Sequence, residues 1–273
     1  MINFLKDRFN EYTRSSFAPA FFFLSKEQKN ALSVVYKFAR MSDDAVDQDA
    51  SEDEKRLKLK ELREKIKGVY SGDSLNDDFF GSMRDVVKRY GIPEYCFNEL
   101  LNGMEMDLGY VDIKTSDELQ IYMFRVASVV GVMVLLISDY DGSDMDEIAK
   151  YTGYALQLTN ILRDIDEDIS YGRVYIPLEH RLKFLGTDKI DTNNKKFKEL
   201  FEFEKGIAKS YYKKANELFK KNKSRKLFIS AVMKNIYYEI FCSLSFDKIS
   251  KNHKISNYKK AKAILKSFSE TYF

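Results

Sequence analysis

The sequence predicts an all-α protein folded as a single domain over residues 1–273. Three observations carry that reading. Only 3 prolines and 12 glycines occur in 273 residues, too few of the turn-forming residues that sandwiches and barrels need. Apolar residues recur at helical spacing along most of the chain, with capping signals at the boundaries. The connectors are short, and no Gly/Ser/Pro-rich linker or solenoid-type repeat divides the sequence.

Taken in order, Ser25 and Gln28 form an S-x-x-Q capping box followed by Leu32, Val35, Tyr36 and Ala39, so a helix is expected over about 26–49. The next, about 51–70, stops before Ser71-Gly72-Asp73-Ser74, and a third runs from about Phe79 to Tyr90-Gly91. Pro93 restarts the chain. Further helices are expected over about 94–109, 116–138, 144–170, 198–222, 225–249 and 255–271, with a polar surface loop over about 186–196. The longest apolar run, from Val126 to Ser138, has about thirteen residues against the roughly twenty a membrane-spanning helix needs, so it reads as a buried helix.

Composition narrows the function. Hydrophobic residues at 44% with 32% charged exclude disorder, collagen and a membrane-embedded bundle. A net charge of +3 does not make the whole molecule a nucleic-acid binder. Cys96 and Cys242 lie far apart in no metal-like spacing and read as buried, reduced thiols. The N-terminus carries Lys6, Asp7 and Arg8 with no long apolar core, so no export signal is read and a cytoplasmic location is expected. Nothing in the sequence sets an oligomeric state.

The chemistry concentrates in two segments. In Tyr36-Lys-Phe-Ala-Arg40-Met-Ser-Asp43-Asp44-Ala-Val-Asp47, an angle of about 100° per residue brings Tyr36, Arg40, Asp43 and Asp47 within about 60° of one another. In Gln157-Leu-Thr-Asn160-Ile-Leu-Arg163-Asp164-Ile-Asp166-Glu167-Asp168, Gln157, Asn160, Asp164 and Asp168 fall within about 80°. Each carboxylate ladder continues an otherwise apolar helix, so both are expected to face a cleft rather than open solvent. Asp is a poorer helix former than Glu, and its repeated use at i and i+4 fits a need for short, hard oxygen ligands. Two carboxylates about 6 Å apart repel by roughly 3 kcal/mol at an effective dielectric near 20, so cations must offset them. Oxygen donors without His or Cys select Mg²⁺, which is ordinarily bound by one or two carboxylates together with substrate phosphates.

Other templates fail. Asp164, Asp166 and Asp168 copy the start of a calcium loop, but its sixth position is Ile169 rather than Gly and its twelfth is Tyr175 rather than Glu. There is no G-x-G-x-x-G, P-loop or H-E-x-x-H, and His180 and His253 stand without a nucleophile arrangement. Arg40, Arg163 and Arg173 offer two readings, clamps for diphosphate oxygens or ion-pair partners of the acids.

These segments resemble the squalene and phytoene synthase family, which joins two prenyl diphosphates head to head. The resemblance covers nearly the whole chain: Ser15-Ser16-Phe17-x-x-Ala20-Phe21; Tyr36-x-x-x-Arg40-x-x-Asp43-Asp44-x-x-Asp47; Tyr122-x-x-Arg125-Val-Ala-x-Val-Val-Gly131; and Gln157-Leu-Thr-Asn160-Ile-Leu-Arg163-Asp164-x-x-Glu167-Asp168 followed by Gly172-Arg173-x-Tyr175-x-Pro177. Gly103-Met-Glu-Met-Asp107, Arg125-Val-Ala-Ser128 and Asp164-Ile-Asp166-Glu167-Asp168 are most similar to bacterial presqualene diphosphate synthases of hopanoid-type pathways. Ser25 stands where members often carry proline, and Ser128 where phytoene synthases often carry glycine.

The resemblance implies a helical prenyltransferase bundle around a hydrophobic cavity, with three Mg²⁺ bridging the ladders to diphosphate. Asp43, Asp47, Asp164 and Asp168 would be the metal ligands. Ser16, Arg40, Gln157, Asn160 and Arg173 would bind diphosphate or organise the ladders. Tyr36, Tyr122 and Tyr237 would hydrogen-bond it or line the cavity, and Phe17, Phe21, Val126, Ala127 and Val130 would contact the prenyl tails. Two farnesyl diphosphates would give presqualene diphosphate without NADPH. The alternatives are continuation to dehydrosqualene or squalene, phytoene synthesis from geranylgeranyl chains, and an inactive relative acting as an assembly factor. The basic C-terminal segment places Ile255, Tyr258, Leu265, Phe268 and Tyr272 near one helical face. It offers either a helix docked on the bundle or a contact with an anionic membrane, which would put the protein at the inner membrane surface.

Overall fold

The Ser25 hydroxyl accepts the Gln28 N–H and the Gln28 carboxamide oxygen accepts the Ser25 N–H, both at 3.2 Å, so α1 (Lys26–Asp47) starts where the capping box predicts. In the computed structural model, which describes residues 23–72, 77–248 and 255–272, there follow α2 (Glu52–Ser71), α3 (Asp78–Tyr90), α4 (Glu94–Met106), α5 (Ser116–Met123), α6 (Val129–Ile137), α7 (Met145–Arg163), α8 (Ile165–Ser170), α9 (Leu178–Leu185), α10 (Lys195–Asn222), α11 (Phe228–Ser243) and α12 (Asn257–Tyr272). A second capping box, Ser51 with Glu54, opens α2. The all-α expectation holds, with one small addition: β1 (Val111–Asp112) and β2 (Arg173–Val174) form a two-residue parallel pair, Val111 opposite Arg173.

The helices depart from the sequence reading at informative places. The run expected over 116–138 contains a π-turn, Phe124–Ser128, between α5 and α6. Neighbouring helices crowd this turn. A Cβ at Gly103 of α4 would lie 2.7 Å from Val126 Cγ1, and one at Gly153 of α7 would lie 2.6 Å from Ser128 Oγ, so both glycines serve close helix approach rather than flexibility. The helix expected over 144–170 breaks at Asp164, whose φ of −106° and ψ of 14° separate α7 from α8. Helix α9 was not expected; it is eight residues framed by Pro177 and by Gly186 at φ 72°, too short for periodicity to register. The segment expected over 225–249 is a 3₁₀ turn, Arg225–Leu227, followed by α11, which ends at Ser243.

Two apolar clusters meet along α7. One joins α1 to α4 with α6, the end of α10 and α11 through Phe38, Met83, Leu101, Val132, Phe219 and Ile236; the Phe38 and Phe97 rings meet edge to face at 5.2 Å. The other packs α7 on α10 through Leu158, Leu162, Phe197, Phe201 and Tyr212. The continuous stretch Ser116–Ile137 is long and apolar enough to cross a membrane by length and composition, and half of its apolar window is buried inside the bundle. Cys96 is buried, whereas Cys242, expected to be buried, is exposed near the end of α11; both are free thiols.

Helix α12 docks on α11, with a different rotation from the one its apolar residues suggest. Phe268 packs 4.3 Å from Phe228, but Tyr258 and Leu265 are 78% and 70% exposed. The rotation is fixed by polar groups: buried Lys234 donates to Glu270 at 3.0 Å, and Asn235 donates to Ser267 at 2.9 Å and to Glu270 at 3.0 Å. An unpaired buried ammonium would be costly, so these partners outweigh the pull of two exposed apolar side chains.

Candidate active site

The first ladder stands on unbroken α1. Arg40 bonds Asp43 at 2.8 Å and Asp44 at 2.8 Å, one helical turn on. Burial raises the Asp43 carboxyl above its ordinary range, and the Asp47 charge raises it further. Tyr36 lies half-buried one turn before Arg40.

The second ladder stands at the end of α7. Adjacent residues do not face each other on a regular helix, yet Arg163 forks onto Asp164 with Nε–Oδ1 at 2.7 Å and Nη2–Oδ2 at 2.5 Å. The break at Asp164 makes that bidentate pair geometrically available. One turn on, the Asp168 carboxyl is pushed up to about 7, first by burial and then by the neighbouring Asp164 charge.

Asp47 of the first ladder shares a cleft of about 410 Å³ with Asp164 and Asp168 of the second, lined also by Asp107, Glu167 and Arg173, with Lys55 and Tyr171 at its walls; Asp43 is not among the residues lining it. Arg173 spans it, its Nη2 2.7 Å from Asp47 Oδ1. The β1–β2 pair delivers Arg173 to that position. Val111 N–H bonds Gly172 O at 3.0 Å, and buried Arg181 ties α9 to Asp112 and to Ile176 O, the latter at 2.9 Å.

Sequence reasoning assigned no role to Asp107, Tyr175 or Lys55. Asp107 is 8% exposed and accepts the Tyr175 hydroxyl at 2.6 Å and the Tyr122 hydroxyl at 3.1 Å. Burial pushes its carboxyl up to about 6 against the lowering effect of the Tyr175 bond. The signals for Asp107 and Tyr175 were present in the Gly103–Asp107 and Gly172–Pro177 motifs, but both lie outside helical periodicity. Tyr122 stacks on Tyr175 at 4.7 Å, so its hydroxyl is engaged by Asp107 rather than turned to the ladders.

Beside the acids lies an apolar cavity of about 200 Å³. It brings together Val126, Ala127, Val130, Gln157, Asn160 and Tyr237 from the sequence-derived set, and adds Leu156, Ser230 and Met233. Asn160 lines this cavity and Asp164 the cleft, so one helical turn of α7 separates them. The Asn160 amide donates to Gln157 at 3.4 Å while its Oδ1 is buried without a partner. Burial raises the Tyr237 phenol, and contacts with Arg163 and Asn160 act the other way. Ser16, Phe17 and Phe21 lie outside the described residues, as does His253.

His180, expected to stand without a nucleophile arrangement, has Nε2 3.0 Å from Ser116 Oγ and Nδ1 2.5 Å from Glu204 Oε1. The geometry is that of a serine, histidine and carboxylate in line, but Glu179 blocks acyl chemistry. Its Oε1 takes the Ser116 hydroxyl at 2.5 Å and the Ser116 N–H at 2.6 Å, occupying the natural oxyanion donor. The group ties α5 to α9 and α10.

The donor chemistry fits Mg²⁺. Among the described residues no three Asp, Glu, His or Cys side chains close around one point. Instead, carboxylates on facing helices and the orphaned Asn160 Oδ1 offer hard oxygens, the arrangement Mg²⁺ uses when waters and phosphate complete its shell. Burial, and after it a neighbouring carboxylate, raises both Asp43 and Asp168, so a cation bound beside them would favour their charged forms.

The squalene/phytoene synthase family model matches residues 11–245, and the chain belongs to that family. It is 36% identical over 178 residues to a presqualene diphosphate synthase of Rhodopseudomonas palustris, spanning 64% of this chain and 63% of that protein, so the match covers less than two thirds of the relative. It is 29% identical over 220 residues to a phytoene synthase of Mycobacterium tuberculosis, covering 78% and 72% of the two chains. A dehydrosqualene synthase solved in complex with ligand superposes with a TM-score of 0.80 at 26% identity, covering 97% of this chain and 96% of the other.

Proposed function

We propose that the protein joins two farnesyl diphosphates head to head into presqualene diphosphate, releasing one diphosphate. The observation that carries this reading is the juxtaposition on α7: Asn160 in an apolar cavity and Asp164 in an acidic cleft, one turn apart. Asp43, Asp47, Asp164 and Asp168, with Asn160 beside them, would hold Mg²⁺, whose positive charge supports departure of diphosphate. Arg40 and Arg173 hold the acids in place and present guanidinium charge to the phosphate oxygens. Val126, Ala127, Val130, Leu156 and Met233 exclude water from the prenyl chains.

In that dry site the C1–O bond of one substrate breaks and its electrons leave with the diphosphate. The double bond of the second chain attacks the allylic cation, and transfer of one proton to the released diphosphate closes the cyclopropane. Tyr237, which lines the apolar cavity, would present a π face that shelters positive charge without trapping it, and Tyr36 would do the same from α1. The R. palustris relative supports the presqualene product, while phytoene synthase relatives keep the geranylgeranyl alternative in the test. Incubation with farnesyl diphosphate and Mg²⁺, with and without NADPH, followed by mass spectrometry is expected to give presqualene diphosphate under both conditions. Unchanged farnesyl diphosphate would refute the proposal; squalene, dehydrosqualene, or turnover of geranylgeranyl diphosphate alone would replace it with the corresponding synthase.

The same reading includes peripheral contact with an anionic membrane, which would receive the apolar chains. Its support is the outward side of α12, where Tyr258 and Leu265 are exposed among Lys259, Lys262 and Lys266. Flotation with anionic liposomes is expected to recover the protein at low salt and to lose it at about 1 M salt, where the Debye length is about 3 Å; no binding at low salt would refute the contact.

A further inference from the structure

Helix α2 presents Leu59, Leu62, Ile66 and Val69 to the core. One turn earlier on the same stripe, where another apolar residue would fall, stands Lys55. It is half-buried and lines the same cleft as Asp47, Asp107, Asp164, Glu167 and Asp168. The other cations nearby are engaged. Arg56 bonds Glu52 at 2.5 Å, Lys58 bonds Gln48, Arg63 bonds Glu105 at 2.9 Å, and Arg173 bonds Asp47 at 2.7 Å. Among the described residues no ion pair engages Lys55, although five carboxylates line the same cleft.

Turning a lysine inward costs side-chain freedom and hydration, and here no carboxylate returns that cost. The space between its ammonium and the acids suits a ligand that is negative toward the lysine and carries cations toward the acids, as a magnesium diphosphate does. A compact ammonium with three donors also suits a terminal phosphate, which needs a point charge rather than a planar fork. We infer that Lys55 is a diphosphate-binding residue that grips the anion from the side away from both ladders. This rests on the function proposed above, and it adds to the binding set a residue on a helix that carries neither ladder.

The test is calorimetric titration of inorganic diphosphate with Mg²⁺ into the wild-type protein, K55Q and K55R, with the KM for farnesyl diphosphate measured alongside. K55Q is expected to bind diphosphate about tenfold more weakly, the loss of one charge-assisted contact, with the effect falling on KM more than on kcat. K55R is expected to bind within about threefold of wild type, since the charge is kept. The unliganded melting temperature of K55Q should match wild type, which separates binding from structure. Wild type that binds diphosphate and K55Q that binds it equally well would overturn the role of Lys55 alone. Wild type that binds no diphosphate would overturn the proposed function and, with it, this assignment.

Discussion

Asp43 and Asp47 sit four residues apart on an unbroken helix with side chains 44% exposed, whereas Asp164 and Asp168 straddle a helix break and Asp164 is 31% exposed. The spacing is the same and the physical setting is not. In the first ladder Arg40 offsets Asp43 along its own helix and Arg173 reaches Asp47 from β2, through pairs worth about 0–1 kcal/mol each. The second needs a distorted backbone to admit the Arg163 fork, and it still leaves Asp168 pushed up to about 7. The carboxyl whose charged form the metal-free protein disfavours most strongly is therefore Asp168, first through burial and then through the Asp164 charge, and the second ladder is the side where an added cation gains most.

The largest expected effect tests that asymmetry directly. Asp168→Asn should lower kcat/KM by on the order of 10³-fold, the scale for removing one electrostatic group from a transition-state site. It should also raise the melting temperature of the metal-free protein, because a repelled carboxylate is replaced by a neutral isostere; about 1 kcal/mol corresponds to roughly 2–4 °C for a chain of this size. Asp47→Asn should also lose activity but should not gain stability, since it breaks the pair with Arg173. Steady-state assay and thermal unfolding of both variants provide the check, and equal melting-temperature shifts would break the comparison.

The ladders were legible in sequence because helical spacing fixes which residues share a face, and Tyr36, Arg40, Asp43 and Asp47 needed nothing more. The break at Asp164 was not, because periodicity continues through one distorted residue and the Arg163 fork is a side-chain event. Asp107 lies at the C-terminal cap of α4, and Tyr175 follows a two-residue strand, so neither belongs to a periodic pattern. The π-turn was hidden because Val126 to Val130 remain apolar in either helical form. Lys55 was readable, as a cation on the Leu59, Leu62, Ile66, Val69 stripe, but a lone charge at a helix start ordinarily signals a solvated end.

A smaller effect should appear in the pH dependence of stability without metal. The Asp168 pKa is raised on folding, so between its ordinary range near 4 and about 7 the folded state binds more protons than the unfolded state. Stability contributed by this group therefore falls as pH rises through that window, opposite to the behaviour of a salt-bridged carboxylate. Thermal unfolding of metal-free wild type and Asp168→Asn from pH 5 to 8 should show a shallower decline in the variant. Parallel curves would mean that Asp168 is not the group carrying the excess charge.

The smallest effect sharpens the comparison through its two arginines. Double-mutant cycles isolate each pairwise energy. The Arg173 and Asp47 pair has one hydrogen bond and a carboxylate 44% exposed, so its coupling should be about 0.5–1 kcal/mol. Raising the salt from about 0.1 to 1 M shortens the Debye length from about 10 to 3 Å, and most of that coupling should disappear. Arg163 and Asp164 form two parallel bonds with side chains 28% and 31% exposed, so their coupling should be larger and should persist in salt. Cycles using Arg173→Gln with Asp47→Asn and Arg163→Gln with Asp164→Asn, read by thermal unfolding of the metal-free protein, compare the two directly. Equal couplings with equal salt dependence would place both ladders in one electrostatic environment, and the break at Asp164 would then need a cause other than the fork it admits.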